Sequence, residues 1–329
     1  MNCKFFLSLF FLAVSSCQTA QTLNPVSFQK FSVQKLTDDA LSELTFESQS
    51  QLSWPSVSVT KREGLAVNSQ SISFAVVGST HSDGQSWAYP KIAESLSREK
   101  IDFVIHTGDY VNQTENWQSW WSEFYQPSQG LLRKFPVLFL GGHSEPEFLD
   151  DQWIEIGDLI FINFDTSNIA NRELTRRRLS EINSRLESYG KKKKEVWLLT
   201  HEPVMAYLPS LEDAEPVKQN ETFKTLLSEL GLLSKVDYVL SGHINNQQIV
   251  ISDPNIKQFI IGNSGAKLKT FGRRILSESV LTTTDTNVSF GYAIFQRRGF
   301  KKWDIVYKNE NAESTLQCEV SGQTIKCDP

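Results

Sequence analysis

A series of short apolar runs, each ending at a glycine or a polar residue, constrains this chain most. They are Ile72 to Val77, Phe103 to Ile105, Val137 to Leu140, Leu159 to Phe164, Val196 to Leu199, Tyr238 to Leu240 and Phe259 to Ile261, and most are followed at once by Gly, His, Asp or Thr. Runs this short and this rich in β-branched and aromatic residues predict buried strands. Between them, Pro90 to Glu99, Trp117 to Tyr125, Glu173 to Tyr189 and Glu221 to Leu230 carry helical spacing. Alternating strands and helices predict an α/β or α+β domain. In such sheets ligands gather at the carboxyl ends of the strands, where the polar residues stand here. A hairpin is expected to follow, with Ser289 to Phe295 and Lys302 to Tyr307 as strands and Arg297 to Phe300 as the turn.

All five histidines lie in or beside a post-strand motif. The motifs read Gly78-Ser79-Thr80-His81, Gly108-Asp109, Gly141-Gly142-His143-Ser144-Glu145, Thr200-His201-Glu202-Pro203 and Gly242-His243-Ile244-Asn245, with His106 just ahead of the second. Their order and spacing resemble the calcineurin-like metallophosphoesterases, whose pattern is D-x-H, G-D, G-N-H-[DE], H and G-H-x-H. The resemblance runs from Ser71 to about Ala266. It implies a four-layer arrangement, a central β-sandwich of mixed sheets flanked by helices, with metals held at the sheet ends.

The chemistry of that family explains the residue types. Phosphoester hydrolysis builds negative charge on phosphoryl and leaving-group oxygens, and two divalent ions about 3.5 to 4 Å apart stabilise it. By resemblance Asp109 bridges the ions and His143 assists the leaving group. The first ion would use positions 79, 81, 109 and 245, and the second 109, 142, 201 and 243. Three of these depart from the pattern: Ser79 replaces the aspartate, Gly142 the asparagine and Asn245 the last histidine. Serine and asparagine are weak neutral ligands and glycine has no side chain, so the first position, left with His81 and Asp109, is expected to bind poorly. The second keeps Asp109, His201 and His243, a set compatible with Zn, Mn or Fe. One divalent metal at most is expected. Asp83 reads as a turn residue, and Ser144, Glu145 and Asn246 lack the family spacing, so none is expected to replace a lost ligand. His106 is expected to pack or to orient other groups rather than to ligate.

The N-terminus carries Lys4 and the apolar run Phe5 to Val14, a signal-peptide core too short to span a bilayer. It closes on Val14-Ser15-Ser16-Cys17, which resembles a bacterial lipobox with Cys17 as the lipid acceptor; ordinary secretion is the alternative. Of four cysteines, Cys318 and Cys327 remain for the mature chain and are expected to pair in an oxidising compartment. The expected organisation is a leader over 1–17, a tether over 18–68 with a strand or two around Trp54 to Thr60, the catalytic-type domain over 69–310 and a disulfide-bearing tail over 311–329. A formal charge of -5 offers no broad positive field for nucleic acid, and Lys191 to Lys194 reads as a solvated loop. The aromatic residues Trp117, Trp120, Trp121 and Phe124 stand at i, i+3, i+4, i+7 and read as a helix packed on a sheet.

Two functional classes fit. One is an exported phosphoesterase with a thinned, single-metal site acting on phosphate esters. The other is a non-catalytic surface lipoprotein, membrane-anchored through Cys17, that binds a partner or small ligand.

Overall fold

The computed structural model describes residues 30–35, 41–47, 65–84, 87–114, 116–142, 152–208, 215–216, 221–252, 256–269, 280–282, 289–322 and 324–328. The leader with Cys17, the strand expected around Trp54 to Thr60, and His143, Ser144 and Glu145 lie outside these residues.

The expected tether contains three described strands, β1 (Lys30–Lys35), β2 (Leu41–Glu47) and β3 (Leu65–Asn68), which form a three-stranded antiparallel sheet. The main body then lays down β4 (Ser73–Val77), β5 (Phe103–His106), β6 (Val137–Phe139), β7 (Gln152–Ile156), β8 (Leu159–Phe164), β9 (Glu195–Thr200), the short pair β10 (Tyr207–Leu208) and β11 (Glu215–Pro216), β12 (Tyr238–Ser241), β13 (Gln247–Ser252), β14 (Ile256–Ile261), β15 (Val280–Thr282), β16 (Gly291–Gly299), β17 (Lys302–Asn309), β18 (Ser314–Ser321) and β19 (Thr324–Asp328). One seven-stranded sheet runs β15-β13-β14-β12-β9-β8-β7 and the other β19-β18-β17-β16-β4-β5-β6. Both are mixed. The pairs β8–β9, β9–β12 and β12–β14 are parallel in the first sheet, as are β4–β5 and β5–β6 in the second, while the outer pairs are antiparallel.

Strands covered on both faces are mainly apolar, and Leu159–Phe164 and Ile256–Ile261 are buried along their whole length, Asn163, Lys257 and Gln258 included. The two sheets pack through Phe74, whose ring stacks on Phe295 at 5.0 Å and meets the edges of Trp197 at 5.6 Å and Phe161 at 5.7 Å. Helices α1 (Tyr89–Leu96), α2 (Trp117–Ser119) and α3 (Gln126–Lys134), with a π-helical turn Trp120–Tyr125 between the last two, cover the outer face of the second sheet. Helices α4 (Arg172–Ser188) and α5 (Glu221–Glu229) cover the first. The four-layer arrangement is therefore as expected. Trp120 and Phe124 are buried in the helix-to-sheet cluster, in keeping with the packed-helix reading.

The residues expected as a tail instead extend the second sheet. Cys318 and Cys327 face one another across β18 and β19 and are joined by a disulfide. At the end of the sandwich where β9 begins, the fully buried Arg297 of β16 pairs with Glu195 at 2.9 Å and with Asp158 at 2.6 Å. Glu195 also accepts from Trp303 Nε1 at 2.5 Å and from the Lys301 backbone N–H at 2.7 Å, so one carboxylate ties the two sheets together.

Candidate metal centre

The opposite end, where the parallel strands finish, gathers the polar motifs. Asp109 follows β5, His201 follows β9 and His243 follows β12. Ser79, Asp109 and His243 adopt left-handed backbone conformations with φ of 51°, 57° and 64°. Such conformations cost about 1–3 kcal/mol each and persist where the surroundings impose them. Here each strand end turns sharply.

Thr107 is the post around which these turns close. A Cβ on Gly78 would lie 1.9 Å from Thr107 Oγ1, and one on Gly242 would lie 2.5 Å from it, so both neighbours must be glycine. Thr107 Oγ1 donates to the Ile261 carbonyl at 2.9 Å, and its own carbonyl accepts from His201 Nδ1 at 2.7 Å. Backbone bonds from Ser79 N to Gly108 O (3.0 Å), Thr80 N to Asp109 O (2.9 Å) and Gly242 N to His201 O (3.0 Å) lock the loops together.

The bond from His201 Nδ1 decides the chemistry of the site. It puts the proton on Nδ1 and leaves the Nε2 lone pair of this buried ring pointing into the site. That Nε2 stands 3.3 Å from Asp109 Oδ1 and 3.2 Å from His243 Nδ1. Ligand atoms of Asp109, His201 and His243 all lie within 4.8 Å of one another. A carboxylate oxygen and two imidazole nitrogens facing inward bring electron pairs together, an arrangement stable only with a cation or a proton among them. The donor set therefore fits a divalent transition metal.

His81 does not join this group. Its Nδ1 is buried without a hydrogen-bond partner, as is the hydroxyl of the fully buried Ser79. Gly142 does reach the centre, but only as backbone: a Cβ on Gly108 would meet His201 Nδ1 at 2.5 Å and Gly142 Cα at 2.8 Å. Asn245 is half-buried and its carbonyl accepts from Lys269 N at 2.7 Å. The amide of Asn246 is engaged with Lys269 O at 3.3 Å and Gln248 Nε2 at 3.0 Å, and Asp83 stands on a turn beside Gly84, whose φ is 79°.

His106 has no free nitrogen for a metal. Its Nδ1 accepts from Gly108 N at 3.2 Å, which makes Nε2 the donor to Thr80 Oγ1 at 2.9 Å, and its ring stacks on Tyr110 at 3.9 Å. Burial first, and then the neighbouring His201, hold its imidazole well below the ordinary histidine range. Two contributors carried no sequence signal. The Thr107 carbonyl belongs to the backbone, and Glu123, in the π-helical turn, accepts from both Ser82 N and Asn112 N at 3.0 Å, clasping the loops after β4 and β5. A turn of this kind re-aims side chains at many functional sites.

Helix-flanked paired sheets with histidine and carboxylate donors at the strand ends define a metallophosphoesterase-like domain. The chain belongs to the calcineurin-like phosphoesterase family, whose family model matches residues 72–247. Among solved structures it is similar to a purple acid phosphatase from yellow lupin seeds, with a TM-score of 0.56 and 13% identity over 83% of this chain. It spans 58% of that enzyme's length. GAP50, the anchor in the inner membrane complex of Plasmodium, superposes with a TM-score of 0.55 at 13% identity over 77% of this chain and 90% of its own. A dimetal phosphatase from Danio rerio gives 0.54 at 10% identity over 76% and 99%. At these identities the likeness is one of fold. No curated protein matches the chain by sequence.

Proposed function

We propose that this protein is an exported phosphoesterase that holds one divalent cation on Asp109, His201 and His243 and hydrolyses phosphate esters slowly. The observation that carries the reading is the convergence of those three ligand atoms, with His201 fixed by the Thr107 carbonyl so that Nε2 faces Asp109 and His243. Zn, Mn or Fe bound there would polarise a phosphoryl oxygen. Asp109 contributes the negative charge of the set, His201 contributes rigidity and His243 completes the open three-ligand face. His143 takes the leaving-group role that the family pattern assigns to it. Ser79 and Gly142 bring no charge, so a second cation is not held and the clamp on attacking and leaving oxygens is halved.

Export, and anchoring through a lipid on Cys17, rest on the leader sequence. The Cys318–Cys327 disulfide is consistent with an oxidising compartment. The second reading, a non-catalytic surface lipoprotein binding a partner or ligand, is favoured by the buried, unpartnered hydroxyl of Ser79 at a family ligand position.

Hydrolysis of 4-nitrophenyl phosphate with added Mn, Zn or Fe(II) separates the two. The enzyme reading expects metal-dependent turnover that falls roughly 10²- to 10⁴-fold in His143→Ala, the range for loss of one acid–base group. Turnover that survives in both His143→Ala and His201→Ala would belong to a contaminant and sink the enzyme reading.

A further inference from the structure

We infer that the end of the sandwich opposite the metal centre is a docking surface for an anionic lipid bilayer. This inference is independent of catalysis.

Three features meet at that end. The first is Phe300, at the tip of the β16–β17 hairpin, the only large hydrophobic residue that is exposed among the described residues, at 38%. The second is charge. Lys191, Lys192 and Lys193 are exposed on the turn between α4 and β9, and Lys302 is exposed at the start of β17. The two groups share one face, because Glu195, next to Lys194, accepts from the Lys301 backbone N–H at 2.7 Å. Most acidic groups nearby are already matched: Asp237 by Lys301 Nζ at 2.5 Å, Asp304 by Arg298 at 2.5 Å, Asp158 by Arg297 at 2.6 Å and Glu155 by Lys194 at 3.4 Å; Glu319, exposed across from Asp304 on the strand paired with β17, is the acidic residue on the Lys302 side. Lys191, Lys192, Lys193 and Lys302 therefore outnumber the one remaining carboxylate, Glu319, and form a net basic cluster on a chain of net negative charge. The third feature is the path of the chain. β3 hands over at Ser69, whose carbonyl accepts from Arg297 at 2.7 Å, so the polypeptide enters the main body at this same end.

An aromatic side chain at a hairpin tip, surrounded by lysines, matches a bilayer interface in both its apolar and its anionic layers. An acyl chain on Cys17 would be the second attachment that stable anchoring needs. Docked this way, the chain would hold its metal centre about 20 Å further out, the length of the six-residue β9 at about 3.3 Å per residue.

The test is lysine acetylation by a water-soluble reagent, read peptide by peptide by mass spectrometry, on the full exported chain mixed with vesicles. One vesicle set contains phosphatidylglycerol and phosphatidylcholine, the other phosphatidylcholine alone. Because the readout is local, attachment through an acyl chain does not decide it. Lys191, Lys192, Lys193 and Lys302 are expected to react several-fold more slowly on the anionic vesicles. Lys267 and Lys269, exposed beside the metal centre, are expected to react equally on both. The triple change Lys191→Glu, Lys192→Glu, Lys193→Glu, on an exposed turn, is expected to abolish the protection read at the remaining Lys302, its vesicle affinity falling at least ~100-fold at about fivefold per lysine. Phe300→Ala is expected to weaken it. Equal reactivity on the two vesicle sets, protection at Lys267 and Lys269 instead, or protection unchanged in the triple variant would overturn the inference.

Discussion

Gly108 has space for a hydrogen atom and nothing larger. Its φ is 97°, and a methyl group there would press into His201 Nδ1 and the Gly142 backbone. Gly108→Ala is expected to destabilise the fold by about 1–3 kcal/mol and to abolish metal binding, because the ring that must yield is the one holding Nε2 in place. Thermal unfolding and metal calorimetry on the variant check both effects, and a variant that binds metal with unchanged affinity would contradict this account of the centre. At this scale much of the site could be read from the sequence. Asp109, His201 and His243 each sit within four residues of the end of an apolar run, and their mutual spacing in the chain follows a family pattern. The carbonyl that sets the His201 tautomer could not be read, since any residue at 107 supplies one. The motif also offers His81, which stands outside the converged group of Asp109, His201 and His243 while its Nδ1 is buried without a hydrogen-bond partner, because a motif records position along the chain and not which donor atoms meet.

Individual elements depend on contacts between residues far apart in sequence. Glu195 and Arg297 are separated by 102 positions, and both side chains are fully buried. Arg297→Met leaves the Glu195 carboxylate buried without its cation, and a loss of about 3–5 kcal/mol is expected in urea unfolding. An effect below 1 kcal/mol would mean that the Trp303 and Lys301 donors satisfy Glu195 unaided. The β18–β19 hairpin depends on its disulfide, which closes a loop with a sequence separation of 9. Reduction is expected to cost roughly 2–3 kcal/mol on the chain-entropy scale, measured as a lower unfolding midpoint in reducing buffer. Most central strands were legible because burial on both faces favours a nearly continuous apolar run, although in β14 (IKQFII) only Phe259 to Ile261 carries it. β7 (QWIEI) and β18 (STLQCEVS) were not, because an edge or half-exposed strand mixes polar with apolar residues. The spacing of Trp117, Trp120, Trp121 and Phe124 indicates a helix but cannot distinguish a π-helical turn from an α-helical one.

The molecule as a whole is a sandwich with chemically different ends. Where the parallel strands finish, strained turns and glycine contacts around Thr107 bring a carboxylate and two imidazoles together. At the other end a buried ion network closes the core beneath a basic rim. Family membership alone implies two metals; among the described residues, Asp109, His201 and His243 are the one group of histidine and carboxylate donors that converges, and the proposed function places a single ion there. The central claim is this stoichiometry. Calorimetric titration of the purified protein with Zn, Mn and Fe(II), paired with elemental analysis, is expected to give one ion per chain, lost in His201→Ala. Two tightly bound ions, or none with any of the three metals, would contradict it.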